Sequence, residues 1–277
     1  MDRNHADESG SIDSRFSFLA DSRPGKPRET GLTFVVAEGP FYAVRDADHL
    51  HGLLEYAGAW IDWYKFTVGA HVVQPPELVA EKLRLLDENE VEAFPGGNLL
   101  EDAILAGETT ACLEALRDVG FPRLEVSTTT LDVDLDEKAA LIERAVDMGF
   151  VVHGEVGRKA GAGRLSTDGV IEDMERCLDA GADRVIFESD AFEAAFLGDD
   201  PESGASMNEI VDEIGATIGH ESVIFELPLI EDTAVLEAAG WLIGTVGSDV
   251  NLGNVTPSYI NLIEQMRRGI GPWLATE

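Results

Sequence analysis

Eight short apolar, β-branched runs alternate with eight amphipathic stretches, a pattern that predicts parallel strands closed into a single-domain (β/α)8 TIM barrel of the α/β class. The 277-residue length suits one large α/β unit. Helical stretches repeatedly end in glycine just before the next run, as in Val119-Gly120-Phe121, Met148-Gly149-Phe150 and Ala180-Gly181-Ala182, where glycine accepts the left-handed conformation that stops a helix. An open doubly wound sheet is the alternative, but no GxGxxG follows the first strand and eight regular units suit closure.

The strand-like runs are Leu32–Ala37, Trp60–Phe66, Val91–Phe94, Arg123–Ser127, Phe150–Val156, Arg184–Glu188, Val223–Glu226 and Thr245–Leu252. Between them, Asp46–Tyr56 is helix-like, and Glu77–Glu88 follows Pro75-Pro76, a favourable helix opening. Asn98–Val119 divides into a short and a longer helix. Leu135–Met148 sets Leu135, Ala139, Ile142, Ala145 and Val146 on one 3.6-period face. Thr167–Ala180, Met207–Ile218, Ile230–Ala239 and Pro257–Gly269 complete the series. Residues 1–30 are polar and Ser/Pro-rich with no apolar centre. They are expected to form a flexible, solvated arm rather than a secretory signal, leaving 31–277 as the barrel.

The charge balance is lopsided: 53 Asp and Glu against 20 Lys and Arg give −33. Hydrophobic residues make up 44%, enough for a core, so the chain is not an acidic disordered polymer. Lysine occurs only at 26, 65, 82, 138 and 159. An acidic, lysine-poor surface on a folded core is what molar salt favours, because salt screens self-repulsion; a haloarchaeal cytoplasm is the expected setting. Nucleic acid is excluded as a partner for want of a basic face. Membrane insertion is excluded because no apolar run approaches the ~20 residues a span requires. Cys112 and Cys177 stand alone in helical stretches and read as buried thiols, with no zinc or disulfide spacing.

Barrel chemistry gathers at the C-terminal strand ends. Those ends present Glu38, Lys65, Pro95-Gly96-Gly97, Glu125 with Ser127, Glu155 with Arg158 and Lys159, Glu188, Glu226, and Asn251 with Asn254. Carboxylates closing five of eight strands suit a hard divalent cation, and Mg2+ is the cofactor they call for. Glu125 and Glu155, set within apolar strand ends, lead as ligands, with Glu188 and Glu226 completing the ring. Lys65 is flanked by apolar residues and is expected either to hold an anionic substrate or to pair with Glu38 or Glu125. Gly96, Gly97 and Asn98 form a turn into a helix capped by Asn98, whose free N–H groups would receive a phosphate or carboxylate. His153 is expected in the packed interior, and His71, in the loop after strand two, as the better-placed acid–base group.

Taken together, Gly31-Leu32-Thr33, Ile61-Asp62 through Lys65-Phe66, Pro95-Gly96-Gly97, Gly149-Phe150 leading to Glu155-Val156-Gly157, Asp179-Ala180-Gly181-Ala182-Asp183, Val223-Ile224-Phe225-Glu226 and Asn251-Leu252-Gly253-Asn254 resemble the phosphosulfolactate synthases, from about Gly31 to Gly271. The resemblance implies a barrel that forms a homo-oligomer such as a trimer, depends on Mg2+, and adds sulfite to phosphoenolpyruvate on a route to coenzyme M. It also implies Lys159 as the proton donor, matching the second lysine of the family's Glu-Val-Gly-Lys-Lys. Lys65 and Arg158 would hold the substrate's carboxylate or phosphate, with Ser127, Asn251, Asn254 and the Gly96–Asn98 turn as further substrate contacts. Three acidic residues depart from the family: Glu38 replaces a lysine, Asp190 an arginine and Asp249 a serine. All three are expected at the mouth, where each lost cationic contact to phosphate costs ~1.5–3 kcal/mol. Two other readings follow from that charge change: a lyase acting on another small enolisable carboxylate, or a non-catalytic barrel like the plant heat-stress-associated proteins.

Overall fold

A computed structural model describes residues 23–38, 44–131, 133–157, 166–188, 201–229 and 234–270. Eight parallel strands form a nearly closed barrel: β1 (Thr33–Val36), β2 (Trp63–Phe66), β3 (Glu92–Pro95), β4 (Arg123–Val126), β5 (Val151–Val156), β6 (Arg184–Phe187), β7 (Val223–Glu226) and β8 (Asn251–Val255). The main-chain ladder runs β3-β2-β1-β8-β7-β6-β5-β4, so only the β3–β4 seam lacks one. Side chains tie that seam at both ends. Arg123 pairs with Glu92 at 2.6 Å at the foot, and the Gly97 N–H donates to Glu125 at 2.6 Å at the rim.

The helices described are α1 (Ala47–Ala57), α2 (Pro76–Asp87), α3 (Asn98–Ala106), α4 (Thr109–Val119), α5 (Leu135–Asp147), α6 (Thr167–Asp179), α7 (Pro201–Thr217), α8 (Ala234–Val246) and α9 (Ile260–Arg267). Asp46, Asp134 and Ser166 cap α1, α5 and α6 by accepting the N–H groups of His49, Glu137 and Gly169. Each helix turns an apolar stripe onto the outer wall. Leu50, Leu86, Leu113 and Ile142 are fully buried there, a burial that contributes ~1.5–3 kcal/mol per large side chain.

Alternation along the strands divides the wall from the interior. Val35, Tyr64, Phe66, Leu124, Val152 and Phe225 face the helices, while Phe34, Val36, Trp63, Phe94, Ile186 and Ile224 fill the barrel. The interior is filled rather than hollow. A Cβ on Gly253 would lie 2.3 Å from the Phe34 ring, so only glycine allows that ring its place.

Several boundaries differ from the sequence expectation: the helix expected from Met207 starts at Pro201, the strand expected from Trp60 starts at Trp63, and two further differences bear on the ends of the barrel. The final strand is Asn251–Val255 rather than Thr245–Leu252, because α8 continues through Thr245 and Val246. Eight of the 13 residues of α8 are buried, and its last two, Thr245 and Val246, are β-branched residues that favour strands. Residues 23–30, expected in the arm, belong to the barrel. Arg23 and Arg28 are buried under its foot, paired with Glu264 and Asp62 at 2.8 Å each. No helix among the described residues is long and apolar enough to cross a membrane.

Candidate active site

The inward register that fills the barrel with Phe34, Phe94, Ile186 and Ile224 delivers ionisable groups one step higher, at the C-terminal rim. Lys65 of β2 is buried there, its Nζ 2.6 Å from Glu125 Oε2 and 2.8 Å from Glu226 Oε1. Glu125, Glu155 and Glu226 are each 1% exposed, and one oxygen from each lies within 4.8 Å of the others. Among the described residues, three buried carboxylates and one buried ammonium thus meet at the rim.

The electrostatics follow from that imbalance. Burial raises the Glu226 carboxyl to about 7, with Glu155 and Glu125 adding repulsion and Lys65 opposing. Glu125 is raised for the same first reason. For Lys65 burial works against the charge, but the surrounding Glu125, Glu226 and Glu155 outweigh it and hold the ammonium well above the usual lysine range. A buried acidic surplus made of carboxylate oxygens is the donor set of a hard divalent cation.

The glycine turn belongs to this cluster in an unexpected way. The residue that precedes α3 is Gly97, not Asn98, and the N–H it offers is taken by Glu125 rather than left for a substrate anion. A helix N-terminus favours negative charge, and here the protein's own carboxylate supplies it. A Cβ on Gly97 would lie 2.4 Å from Ser127 Cβ and 3.0 Å from Glu125 Oε1, so glycine is what lets the turn close on the cluster. Gly96 is less tightly placed, with Lys65 Cε 3.2 Å from where its Cβ would stand.

The remaining expected residues separate. Glu188 is buried at the end of β6 but is not among the three clustered carboxylates. Ser127 is fully buried and donates to Glu101 at 2.8 Å, and Asn98 Nδ2 lies 3.4 Å from the same carboxylate; these contacts hold a loop. Asn254 is the penultimate residue of β8, towards the rim, buried, with φ 53° and an Oδ1 that has no hydrogen-bond partner among the described residues. Asn251 is corrected to the opposite end of the barrel. Its Oδ1 accepts from Leu32 N at 2.9 Å and its Nδ2 donates to the carbonyls of Glu221 and Val223, because it opens the final strand instead of closing it. Arg158 and Lys159 lie outside the described residues.

The acidic departures are also relocated. Glu38 leaves the ladder beyond Val36 and lies between β2 and α2. There it accepts from Lys82 at 2.7 Å and from the Tyr64 hydroxyl at 3.1 Å, with Gln74 on its other oxygen. Lys82, itself fully buried, neutralises it. Asp249 is exposed at the foot, where its carbonyl receives the Gly31 N–H. Asp190 lies outside the described residues. Neither Glu38 nor Asp249 adds negative charge to the mouth.

The two histidines are packing residues. His153 is fully buried and stacks on Trp63 at 4.6 Å, and burial holds its pKa well below the usual value, so it is neutral. His71 packs against Phe121 and Phe66 outside the wall, with rings 4.9 and 6.1 Å away. Sequence reading missed Lys82, Lys138 and Glu101. Lys82 and Lys138 carried a signal: each occupies a core position of an apolar stripe, in Val79–Lys82–Leu86 and Lys138–Ile142–Ala145.

Residues 21–271 match the family model described as (2R)-phospho-3-sulfolactate synthase (ComA). The phosphosulfolactate synthase of Methanothermobacter thermautotrophicus is 32% identical over 258 residues, covering 92% of this chain and 95% of that one. The phosphosulfolactate synthase of Methanocaldococcus jannaschii is 32% identical, covering 87% and 92%, and that of Bacillus subtilis 30%, covering 92% and 96%. The chain belongs to the phosphosulfolactate synthase family of enzymes.

Proposed function

We propose that this chain adds sulfite to phosphoenolpyruvate to give phosphosulfolactate, with Mg2+ as cofactor. The observation that carries the reading is the buried cluster of Glu125, Glu155 and Glu226 around Lys65, in a chain of this family. These three carboxylates fit the ion, and they would hold it. When bound, Mg2+ supplies the positive charge that stabilises negative charge developing on the substrate carboxylate.

The residues do the rest. Sulfite forms the new C–S bond at the methylene carbon of phosphoenolpyruvate as the C=C π pair moves toward the carbon bearing the phosphate. Lys159 then gives its proton to that carbon, forming a C–H bond and leaving a neutral amine. Arg158 holds the phosphate. Lys65 pairs with Glu125 and Glu226, opposing their protonation and holding both in place. The location of Lys82 beside Glu38 supports retention of the family substrate, since that charge reversal is answered within the wall.

The −33 charge and five lysines support a cytoplasmic enzyme working in molar salt, in a haloarchaeal cell and on the route to coenzyme M. A homo-oligomer such as a trimer is part of the same reading. The test is consumption of sulfite and phosphoenolpyruvate with Mg2+ in molar KCl. Wild type turns over both, and Lys159→Ala lowers kcat by ~10²–10⁴-fold, the usual contribution of a general acid. A wild-type protein inert toward both substrates under these conditions overturns the reading.

A further inference from the structure

Glu101 stands on the first turn of α3, 2% exposed, although nothing in its apolar neighbours Leu99 and Leu100 calls for a carboxylate there. Four donors converge on it: Ser127 Oγ at 2.8 Å, Thr130 N at 3.1 Å, Thr130 Oγ1 at 2.6 Å and Asn98 Nδ2 at 3.4 Å. Three of the four come from the loop that leaves β4 just past Glu125. One buried side chain therefore fixes the path of residues 127–130.

Counting hydroxyl protons gives this arrangement a direction. Ser127 and Thr129 each have one, and three contacts compete for them: Ser127 with Glu101 at 2.8 Å, Ser127 with Thr129 at 3.1 Å, and Thr129 with Glu155 Oε2 at 3.4 Å. The shortest contact, to a buried carboxylate, claims the Ser127 proton. Ser127 Oγ is then an acceptor, which it also is for the Thr129 N–H at 3.3 Å. The Thr129 proton then has two acceptors, the hydroxyl of Ser127 at 3.1 Å and the carboxylate of Glu155 at 3.4 Å, and the charged one holds it more strongly.

We propose that Glu101 and Thr129 are positioning residues for the rim cluster: Glu101 locks the loop after β4, and the Thr129 hydroxyl orients Glu155 for a divalent cation. This rests on the reading of Glu125, Glu155 and Glu226 as the cation's ligands. Groups that orient a ligand from behind commonly change metal affinity 10–100-fold when removed, roughly the effect assigned here.

The experiment is calorimetric titration of Mn2+ into the full chain in molar KCl, with thermal melting in parallel. Thr129→Val, which keeps the shape and removes the hydroxyl, weakens Mn2+ binding about 10–100-fold. Thr129→Ser restores it to near the wild-type value. Glu101→Gln, which removes the charge and turns one of the two accepting oxygens into a donor, causes a loss of similar size, and the double variant is no worse than Glu101→Gln because both act along one path. Unchanged Mn2+ affinity in Thr129→Val, with wild type binding normally, overturns the inference and leaves the metal reading standing. The same holds if Glu101→Gln lowers only the melting temperature. No Mn2+ binding by wild type overturns the metal reading and this inference with it.

Discussion

The rim and the foot of this barrel both bury charge, with opposite surplus and opposite resolution. At the foot, Arg23, Arg28, Arg267 and Arg268 outnumber the buried carboxylates Asp62 and Glu264. The main chain meets much of the surplus: Arg28 donates to the carbonyls of Pro24 and Ala59, and Arg267 to those of Ser248, Val250 and Leu32. Carbonyls are everywhere in a backbone, so a guanidinium can be satisfied by the fold itself. Among the described residues, the surplus at the rim is carboxylate. Gly97 N–H and Lys65 answer part of it, and the geometry leaves three oxygens facing one another. A buried anionic surplus is resolved by protonation or by an external cation, whereas the cationic surplus of the foot is met by the fold's own carbonyls.

The sharpest way to break this comparison is to remove one carboxylate from each end. Glu155→Ala at the rim should abolish measurable Mg2+ binding and lower activity by ~10³-fold, a loss within the range of 2.7–4 kcal/mol typical for removed transition-state electrostatics. Its melting temperature should stay level or rise, because repulsion has been relieved. Asp62→Ala at the foot should do the reverse. Stranding Arg28 and Arg23 costs about 3–5 kcal/mol in denaturant unfolding, with kcat/KM of the surviving folded fraction unchanged. Equal stability losses at both ends would erase the distinction.

A smaller effect sharpens it. The Glu226 carboxyl is raised to about 7 in the folded chain from an ordinary value near 4.5, so the folded state holds the proton more tightly than the unfolded one. The contribution to stability is present below about 4.5 and is lost as pH rises through about 7. Without divalent cation, wild type should therefore lose more thermal stability than Glu226→Gln between pH 5 and 7.5 (roughly that window). Identical slopes would show that the rim surplus is not resolved by protonation.

The smallest effect concerns the wall between the two ends. Cys177 is 1% exposed, with burial pushing its thiol up to about 12, whereas Cys112 is half-buried. A maleimide at pH 8 (roughly physiological) should modify Cys112 and leave Cys177 untouched until the chain unfolds, without changing Mg2+ binding. Labelling of Cys177 in the native protein would mean that the α6 wall opens.

Legibility followed the same division. Seven of the eight strands fell close to the expected runs, because a parallel strand buried on both faces leaves a continuous apolar signal. The eighth failed where the last turn of α8, with the β-branched Thr245 and Val246, reads like the start of a strand. The acidic strand ends were visible as residue types, and Glu125, Glu155 and Glu226 converge as an inward register requires. Glu38 and Glu188 carry the same letter at the same apparent position and do not join them. Glu38 has left the ladder and found Lys82, 44 positions along the chain, a pairing that no local pattern encodes.

The sequence by itself determined the barrel, its family and the acidic character of its strand ends, because periodicity, glycine stops and motif order are local properties of the chain. Tertiary structure alone decided which acids share a space, which are neutralised in the wall, and that Asn251 belongs to the foot. Those outcomes depend on which face a strand turns inward and where it starts. A shift of a few residues in β8 moves a side chain from one end of the molecule to the other, and burial then converts that position into charge state and chemistry.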